Sequence, residues 1–534
     1  MGVRFEKYLG AVVPALIIGI TALLLWSGLT NGHNWGDDFS AYIMQAKSIV
    51  QDRPREFIEA NRFTIEQSSR PLGPVAYPWG FPVLLAPFYA FFGLNMIALK
   101  SVGSVCFLLF LVLLWSGFRK YHSNFWRLVV LCLFALNPTV LRFMDNILSD
   151  IPFLLVSTFS VLFIGRTVIE RRRLISPVCD QLLLAAAIAL AFFIRTNGIL
   201  LLVTLGITQL IVLIGRDYGH EAPRDQCEPG LMRLLPTKDV FCMNILPYMT
   251  FLGFVLAWEA VLPREGSSYG SIVDGLSLGV IKHHVAYYIA LPAAFFDGVP
   301  HHYLLYGASI PLAIAGAISR YRSDPHMIAY VTLTLLLYIL YPPTQGLRYL
   351  FPVLPFYISF VVSCLEKYQA DNADPAGAVL RKAICTFPVV LVLLYFGKQS
   401  ASDAFENLIR NRATDSGPFV DTSRSMFSYI EANTAAQSTI VFFKPRAMRM
   451  MTGRRSLMIN KVADLWRGDY LSLHLRKDGA SRSQILPDEV RCLTEKGALQ
   501  AVYRNGDFVV YRLTGLHNNA LHAEDDCAAR QPGP

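Results

Sequence analysis

Two adjacent carboxylates lie early in the chain, in the sequence Trp35-Gly36-Asp37-Asp38-Phe39. They come a few residues after the first long apolar run, and the apolar residues that follow them have the spacing of an amphipathic helix. A carboxylate held in a loop at a membrane surface is able to accept a proton from a hydroxyl group, so Asp37 and Asp38 are candidate general bases. The alternative is that one of them caps the N-terminus of the helix that follows.

Charged residues also occupy three short turns between later apolar runs. Asp145 and Asp150 lie in the first turn with Arg142, Arg195 lies in the second, and Arg348 precedes Tyr349 in the third. Arginine near a membrane surface needs an anionic partner, and a lipid phosphate is one candidate. Snorkelling to lipid headgroups or pairing with local acids is the alternative for each of them.

Two further groups of residues have weaker signals. The segment Tyr77-Pro78-Trp79-Gly80-Phe81-Pro82 predicts a kinked backbone where the chain re-enters the membrane, which taken alone is a structural role. The histidine pairs His283-His284 and His301-His302 suggest zinc, but no Cys or Glu lies nearby at ligand spacing, so polar loop residues are favoured. No cofactor is firmly implied, and a divalent metal, although compatible with the site, is unsupported.

These residues require a membrane scaffold to bring them together. Of the 534 residues, 53% are hydrophobic and only 16% are charged, whereas a soluble domain carries about a quarter charged residues. Apolar runs fill the chain from Ala11 to about Gly397, and about eleven of them approach the length of a membrane span. The predicted spans are Gly10–Leu29, Leu94–Phe118, Trp126–Val140, Leu148–Ile169, Leu182–Ile194, Ile199–Ile214, Val240–Leu262, His302–Ile318, Met327–Tyr341, Tyr349–Leu365 and Ile384–Phe396.

The basic residues between the spans predict the topology. If the N-terminus is cytoplasmic, every short cytoplasmic loop is basic, as the positive-inside rule requires. These loops hold Arg119, Lys120, Arg127, Arg166, Arg171, Arg172, Arg173, Arg216, Arg224, Arg233, Arg320, Arg322, Lys367, Arg381 and Lys382. The candidate site residues and the C-terminal tail then lie on the other side, periplasmic in a bacterial inner membrane. The loops also explain the net charge of +9, so no nucleic-acid partner is expected.

The predicted domains are a membrane domain over 1–398 with an outer loop over 31–79, a small α/β domain over 399–516, and a disordered tail over 517–534. In the α/β domain the turn Asn505-Gly506 predicts a hairpin of Leu499–Arg504 and Phe508–Leu513. Cys492 and Cys527 lie in this outer region, where a disulfide is allowed. Two free thiols are the alternative.

The order of these motifs resembles the GT-C superfamily of membrane glycosyltransferases. Within it the sequence is most similar to glycosyltransferase family 39, the type that includes protein O-mannosyltransferases and the bacterial lipid A aminoarabinose transferase. The matching segments are Gly36-Asp37-Asp38, Tyr77–Pro82, Ser149-Asp150, Arg195-Thr196-Asn197-Gly198, Arg348-Tyr349 with Pro352 and Pro355, and Phe443-Lys444-Pro445-Arg446 with Thr452-Gly453-Arg454.

The resemblance implies a polytopic α-helical membrane protein with a small C-terminal α/β domain. Its implied activity is transfer of a sugar from a polyprenyl-phosphate donor to a hydroxyl of a protein, lipid or glycan on the non-cytoplasmic face, usually with inversion. Asp37 or Asp38 is then the base, with Asp37 preferred, and Asp150 takes the second acidic position. Asp145 and Tyr77 are further positioning candidates, and Arg195, Arg348 and Tyr349 are candidates to bind the lipid phosphate.

Two other classes of function are open to a membrane protein of this kind. A transporter or flippase would place charges along a pathway at the middle of the membrane. Here the charges lie at span ends on one side, and no inverted repeat is visible in the sequence. A non-catalytic scaffold is the third interpretation, and only the resemblance argues against it. The transferase is therefore the favoured hypothesis.

Overall fold

The structure is a computed structural model that describes residues 2–69, 72–217, 238–263, 277–341, 343–370, 375–475 and 483–514. A helical domain forms most of the chain, and a domain with one mixed β-sheet follows it. This arrangement confirms the predicted fold class. The predicted disordered tail, 517–534, lies outside the described residues.

The first helix and the outer loop lead directly to the paired acids. Helix α1 (Gly2–Gly28) is followed by α2 (Asp38–Val50) and α3 (Pro54–Glu66). The pattern of apolar residues after Asp38 thus predicted α2 correctly, but the helix is buried on all sides from Phe39 to Ala46 rather than along one face. Neither α2 nor α3 is long enough to cross a membrane, since each has 13 residues and a span needs about 20.

Helix α4 (Gly80–Phe92) belongs to none of the predicted spans. Its 13 residues give a length of about 20 Å, against about 30 Å for the hydrocarbon core of a bilayer. It starts within the proline-rich segment whose kink the sequence predicts, and Pro87 lies inside it. Because α5 begins only a few residues later, the sequence alone gives no clear signal that separates the two helices.

The other helices of the membrane domain form a bundle. They are α5 (Met96–Gly117), α6 (Asn124–Ala135), α7 (Pro138–Phe143), α8 (Asp150–Ile164), α9 (Pro177–Ile194), α10 (Ile199–Asp217), α11 (Lys238–Val261), α12 (Leu278–Ala290), α13 (His302–Arg320), α14 (Pro325–Leu340), α15 (Leu354–Ala370) and α16 (Pro375–Ile409). Within the described ranges, eight helices are long and apolar enough to cross a membrane. The count of about eleven spans stays a prediction.

Two of the helices differ from the predicted spans for a local reason. The predicted span Trp126–Val140 is divided between α6 and α7, because Pro138 has no backbone N–H to continue the first helix. Helix α16 has 35 residues and runs far beyond the predicted span Ile384–Phe396. It continues across residue 398, where the membrane domain was predicted to end, and residues 410–420 then lead to the first helix of the C-terminal domain.

The C-terminal domain packs three helices against a five-stranded sheet. The helices are α17 (Asp421–Asn433), α18 (Pro445–Thr452) and α19 (Pro487–Glu495), and the strands are β1 (Thr439–Val441), β2 (Arg455–Leu457), β3 (Tyr470–His474), β4 (Leu499–Arg504) and β5 (Phe508–Leu513). The strand order is β2-β1-β3-β5-β4. Strand β1 pairs in parallel with β2 and β3, whereas β5 pairs antiparallel with β3 and β4.

The sequence predicted one hairpin of this domain. The hairpin predicted across Asn505-Gly506 is present as β4 and β5, with the predicted bounds. The central strand β3 was not predicted, although Gly468-Asp469 precedes it and Asp478-Gly479 follows it closely in the sequence. Cys492 is disulfide-bonded, and Cys527 lies outside the described residues.

The outer loop is anchored in the core of the C-terminal domain. The indole of Trp35 packs edge-on against the rings of Phe427, Phe442, Phe443 and Phe508, with centroids 5.0–6.4 Å apart. Burial of a Trp side chain among aromatic rings is a large apolar contact. The residues that follow Trp35, including both acids, are therefore held at the junction of the two domains.

Candidate active site

Two acids and two arginines from distant parts of the chain meet at one end of the helical bundle. Asp38 opens α2, Asp150 opens α8, Arg195 lies between α9 and α10, and Arg348 lies before α15. Together these four residues form what we call the acid–arginine cluster. The structure thus brings together two of the predicted acids and both of the arginines that the sequence pointed to.

The deepest part of the cluster is the ion pair of Asp150 and Arg195. The guanidinium of Arg195 donates to the carboxylate of Asp150, whose side chain is only 2% exposed. Asp150 lies in the first turn of α8, where the helix dipole favours a negative charge. Arg195 has an extended backbone that ends α9.

Arg348 bridges the two carboxylates of the cluster. Its Nη2 lies 3.3 Å from Oδ2 of Asp38, and its Nη1 lies 3.9 Å from Oδ2 of Asp150. The Tyr349 ring lies beside both guanidinium groups, 4.4 Å from Cζ of Arg195 and 5.0 Å from that of Arg348. Because Arg348 is 28% exposed, it is the arginine of the cluster that an incoming anion reaches more easily.

Tyr77 joins the proline-rich segment to the cluster. Its hydroxyl donates to Oδ1 of Asp38 at 2.6 Å, and its backbone exchanges two hydrogen bonds with the side-chain amide of Gln45. Burial and the nearby carboxylate of Asp38 raise the pKa of Tyr77 well above its ordinary value. The phenol therefore stays protonated and acts as a hydrogen-bond donor to Asp38.

Glycine is required at two points where these segments approach the cluster. A Cβ on Gly80 would lie 2.6 Å from the backbone of Phe193, so only glycine lets the start of α4 touch the end of α9 beside Arg195. A Cβ on Gly198 would lie 2.5 Å from the backbone N of Phe192. Gly198 therefore allows the tight turn that carries Arg195 between α9 and α10.

Asp37 faces the C-terminal domain rather than the acid–arginine cluster. Its Oδ1 is buried and has no hydrogen-bond partner among the described residues. Burial raises the pKa of Asp37 above its ordinary value, and this effect outweighs the opposing influence of Arg446 and Lys444. Asp37 does occupy the position before α2, but its side chain makes no capping hydrogen bond, so the N-cap interpretation does not apply to its carboxylate.

Arg446 of α18 contacts this site, although it was not among the site residues predicted from the sequence. Its side chain is fully buried and donates to the hydroxyl of Tyr77 at 3.4 Å, to the carbonyl of Pro74 at 2.6 Å and to the side chain of Asn61 at 3.3 Å. The signal was present in the segment Phe443-Lys444-Pro445-Arg446. Its relation to Tyr77 was not visible, because more than 360 residues separate the two.

The structure does not bring Asp145 into the cluster. Oδ1 of Asp145 lies 2.6 Å from Nζ of Lys100, and its carboxylate also accepts two hydrogen bonds of 2.7 Å from Thr30. This contact ties the end of α1 to the start of α5. Arg142 likewise pairs with Asp403 of α16 rather than with a cluster acid.

The histidine pairs have partners of their own. Nδ1 of His284 lies 3.0 Å from the carbonyl oxygen of Ile339, and Nε2 of His302 lies 3.3 Å from Oδ1 of Asp297. Within the described part of the chain, no three His, Cys, Asp or Glu side chains are grouped so that they could hold a metal ion.

Comparison with known proteins gives a match in structure but not in sequence. No protein-family model matches the chain, and no curated protein sequence gives a significant match. The crystal structure of ArnT from Cupriavidus metallidurans in the apo state superposes with a TM-score of 0.55 at 14% identity, over 93% of this chain and 97% of that one. The same protein bound to undecaprenyl phosphate gives a TM-score of 0.55 at 13% identity, over 94% and 98%.

A second kind of protein has the same architecture. The oligosaccharyltransferase of Archaeoglobus fulgidus in the apo form gives a TM-score of 0.57 at 10% identity, over 96% of this chain and 75% of that one. At these identities the likeness concerns the fold. The chain therefore has the GT-C fold that its motifs predicted.

Proposed function

We propose that this protein is a membrane glycosyltransferase that transfers a sugar from a polyprenyl-phosphate donor to a hydroxyl group of an acceptor. The observation that carries the proposal is the acid–arginine cluster, which four distant segments assemble at one end of the bundle. The GT-C fold supports it, and so does the undecaprenyl phosphate bound by the structurally similar ArnT. The basic loops between the spans favour a cluster on the non-cytoplasmic face.

The chemistry of such a transfer needs a base and a stabiliser of negative charge. The acceptor oxygen forms a bond to the anomeric carbon of the sugar while the bond from that carbon to the phosphate oxygen breaks. The acceptor proton passes to a carboxylate, and the lipid phosphate leaves as an anion without needing a strong acid. A guanidinium binds phosphate oxygens with two parallel hydrogen bonds, so Arg348, the more exposed arginine of the cluster, would hold the leaving group.

We assign the role of base to Asp37 and a positioning role to Asp38. A general base is most effective when its pKa lies near the working pH, and burial raises the pKa of Asp37. Its Oδ1 has no partner in the described part of the chain, whereas both oxygens of Asp38 are engaged by Tyr77 and Arg348. Asp38 therefore orients the phosphate-binding arginine. The carboxylate of Asp37 accepts a hydrogen bond from the backbone N–H of Arg446, and its Oδ1 remains to accept a proton.

The remaining cluster residues support these two roles. Asp150 pairs with Arg195 and lies near Arg348. We therefore expect it to position the two arginines rather than to contact the substrate. Inversion at the sugar places the attacking oxygen and the leaving phosphate on opposite faces, as in single-displacement glycoside chemistry. A base on the side of the C-terminal domain and arginines on the side of the bundle fit this requirement.

The proposal is tested by transfer assays with the full chain in membranes. Membranes would receive radiolabelled sugars linked to undecaprenyl phosphate, as separate hexose and pentose donors, and the wild type would be compared with Asp37→Asn and Asp38→Asn. Asp403→Asn is the matched control, because Asp403 pairs with Arg142 outside the cluster. Loss of a general base lowers rates by about 10²–10⁴-fold, so we expect that loss for Asp37→Asn and none for Asp403→Asn.

Two outcomes would count against the proposal. Unchanged transfer in both site variants would remove the carboxylates from the mechanism. If no lipid-linked sugar is consumed by the wild type, the transferase interpretation fails, and assays of lipid-linked sugar movement across vesicles would then test the transporter alternative. The position of the charges at one end of the bundle does not favour that alternative.

A further inference from the structure

A cavity of about 620 Å³ lies at the opposite end of α5 and α8 from the acid–arginine cluster. Asp150 begins the helical segment Asp150–Ile169 at the cluster, and this segment has 20 residues. Its length is therefore about 30 Å, which matches the hydrocarbon thickness of a bilayer. The cavity, which we call the far-end cavity, thus lies at the other membrane face and is separate from the proposed active site.

The polar side of the far-end cavity has an excess of positive charge. Its charged lining residues are Arg119, Lys120, Arg166, Glu170 and Arg172. Glu170 is the acid among them, and it pairs with Lys120 at 2.9 Å and with Arg172 at 3.6 Å. No such ion pair exists for Arg119 or Arg166 among the described residues, so two guanidinium charges of the cavity have no carboxylate partner there.

Arg166 is the more informative of these two arginines. Its Nη2 donates to the backbone carbonyl of Arg173 at 3.1 Å, but its Nε is buried and has no hydrogen-bond partner in the described ranges. A buried N–H of a charged group without an acceptor is costly. The residue lies in a π-helical turn over Gly165–Ile169, a distortion that is rare and often found at functional sites.

The other side of the cavity is apolar. Leu113 of α5 and Phe159, Leu162 and Phe163 of α8 form this wall. The cavity thus has apolar side chains within the membrane and guanidinium groups without a carboxylate partner at the membrane surface. A molecule with a hydrocarbon part and an anionic head would match both. Positive-inside topology explains why arginines occur in this loop, but it does not explain a buried, unpaired nitrogen in a cavity with an apolar wall.

We propose that the far-end cavity binds an anionic phospholipid. Arg119 and Arg166 hold its phosphate, and its acyl chains lie along Leu113, Phe159 and Leu162. Basic pockets between membrane helices bind anionic lipid headgroups by this chemistry. An inorganic phosphate would leave the apolar wall exposed, which is why the lipid is the chosen ligand. This site does not depend on the proposed glycosyltransferase activity.

The test measures lipid binding to the full chain in a neutral detergent. Native mass spectrometry would count bound molecules while dioctanoyl phosphatidylglycerol, dioctanoyl phosphatidylcholine or inorganic phosphate is added. We expect phosphatidylglycerol to bind at least about tenfold more tightly than phosphatidylcholine. We expect Arg166→Gln to lower the affinity for phosphatidylglycerol about tenfold, as for loss of one charge-assisted contact. Arg322→Gln is the matched control, because Arg322 is exposed and packs on Tyr321 outside the cavity.

Three results would overturn the proposal. Equal binding of both lipids would show that charge is not recognised, and unchanged affinity in Arg166→Gln would show that the lipid binds elsewhere. Displacement of the lipid by an equal concentration of inorganic phosphate would indicate an anion site without a lipid. If Arg166→Gln does not fold, as judged by its elution and thermal midpoint, the exposed Arg119→Gln replaces it, with the same expected loss.

Discussion

The two ion pairs of the acid–arginine cluster differ in burial, and this difference separates their roles. Asp150 and Arg195 are 2% and 15% exposed, whereas Asp38 and Arg348 are 38% and 28% exposed. Removing one partner of a buried pair leaves an uncompensated charge and costs about 3–5 kcal/mol. For a partly exposed pair the loss is about 1 kcal/mol or less. Stability and activity are therefore expected to respond differently to the two arginines.

We predict that Arg195→Gln is strongly destabilised and that Arg348→Gln loses mainly activity. The first variant leaves the carboxylate of Asp150 buried without its closest cation, so its free energy of unfolding falls by about 3–5 kcal/mol. The second keeps its fold but lacks a donor to the leaving phosphate, which lowers transfer by about 10²–10³-fold. Thermal unfolding in detergent and transfer assays measure the two effects. Equal stability loss in both variants would contradict this division.

We predict that transfer requires the ionised form of Asp37 and that the chain does not need that charge to fold. Because the folded-state pKa of Asp37 is raised, activity should rise with pH through a pKa above the usual value of about 3.9 for Asp. Asp38→Asn, in which Asp37 is intact, should keep this acidic limb at lower overall activity. Rates measured from pH 4 to 8 test this, and an acidic limb in the ordinary Asp range would contradict it.

The raised pKa of Asp37 also makes the free energy of unfolding depend on pH in a definite direction. A carboxyl group whose pKa is higher in the folded than in the unfolded chain stabilises the fold below the unfolded-state pKa. That contribution is lost as the pH rises through the folded-state pKa. At pH 7 Asp37→Asn should therefore leave the thermal midpoint unchanged or raise it while transfer falls. A large drop in the midpoint at pH 7 would assign Asp37 a structural role instead.

At the scale of elements, the segment Trp35–Asp38 is shared by both domains. Trp35 packs in the core of the C-terminal domain, Asp37 lies close to the start of α18, and Asp38 contacts Arg348 of the bundle. Helix α18 also supplies Arg446, which holds Tyr77 and thereby Asp38. These contacts make the C-terminal domain part of the support for the proposed active site.

We predict that Arg446 positions the site through Tyr77. Arg446→Gln should lower transfer by about 10²-fold, since small displacements of reacting groups have effects of that size. Arg446→Lys, which keeps the charge, should restore part of the activity, and the loss should appear mainly in kcat. Arg454→Gln is a control on the same side of the domain, because Arg454 bonds to Thr434 and Glu431 away from Tyr77. Equal losses in all three variants would indicate general destabilisation.

At the scale of the whole molecule, the fold places two chemically distinct sites at opposite ends of the same helices. The acid–arginine cluster lies at the start of α8, and the far-end cavity lies at its end. The basic residues gather at the far end, which the positive-inside rule assigns to the cytoplasm. The orientation of the protein in its membrane therefore decides which compartment contains the proposed chemistry.

We predict that Cys179 reacts from the cytoplasmic side. Its thiol is free and exposed in the first turn of α9, just after the loop that carries Arg171–Arg173. A maleimide that does not cross membranes should label it in inverted vesicles but not in intact cells when Cys227, which lies in another predicted cytoplasmic loop, is replaced by serine. Adding Cys179→Ser to that variant should remove the label. Ser425→Cys, on the exposed surface of α17, should show the opposite pattern. Labelling of Cys179 in intact cells would reverse the topology and place the acid–arginine cluster in the cytoplasm.

How much of this protein was predictable from sequence depends on the distance over which each signal acts. Apolar runs, the amphipathic pattern of α2 and the Asn505-Gly506 turn are local, and they correctly predicted the fold class, α2 and the β4–β5 hairpin. The basic loops are a local signal too, and the topology that they indicate stays a prediction. Local patterns failed where a short element was stabilised by its neighbours, as for α4 and β3. There packing against other segments, rather than propensity, decides the structure.

The candidate site shows the same limit more strongly. The sequence by itself determined which residue types stand at the span ends, and the motifs identified Asp38, Asp150, Arg195 and Arg348. Only the tertiary structure decided their partners: Asp38 meets Arg348 across 310 positions, whereas Asp145 turns to Lys100 and leaves the cluster. Charge pairing depends on distances of a few ångströms, and those distances are set by how the helices pack, which no local pattern of residues specifies.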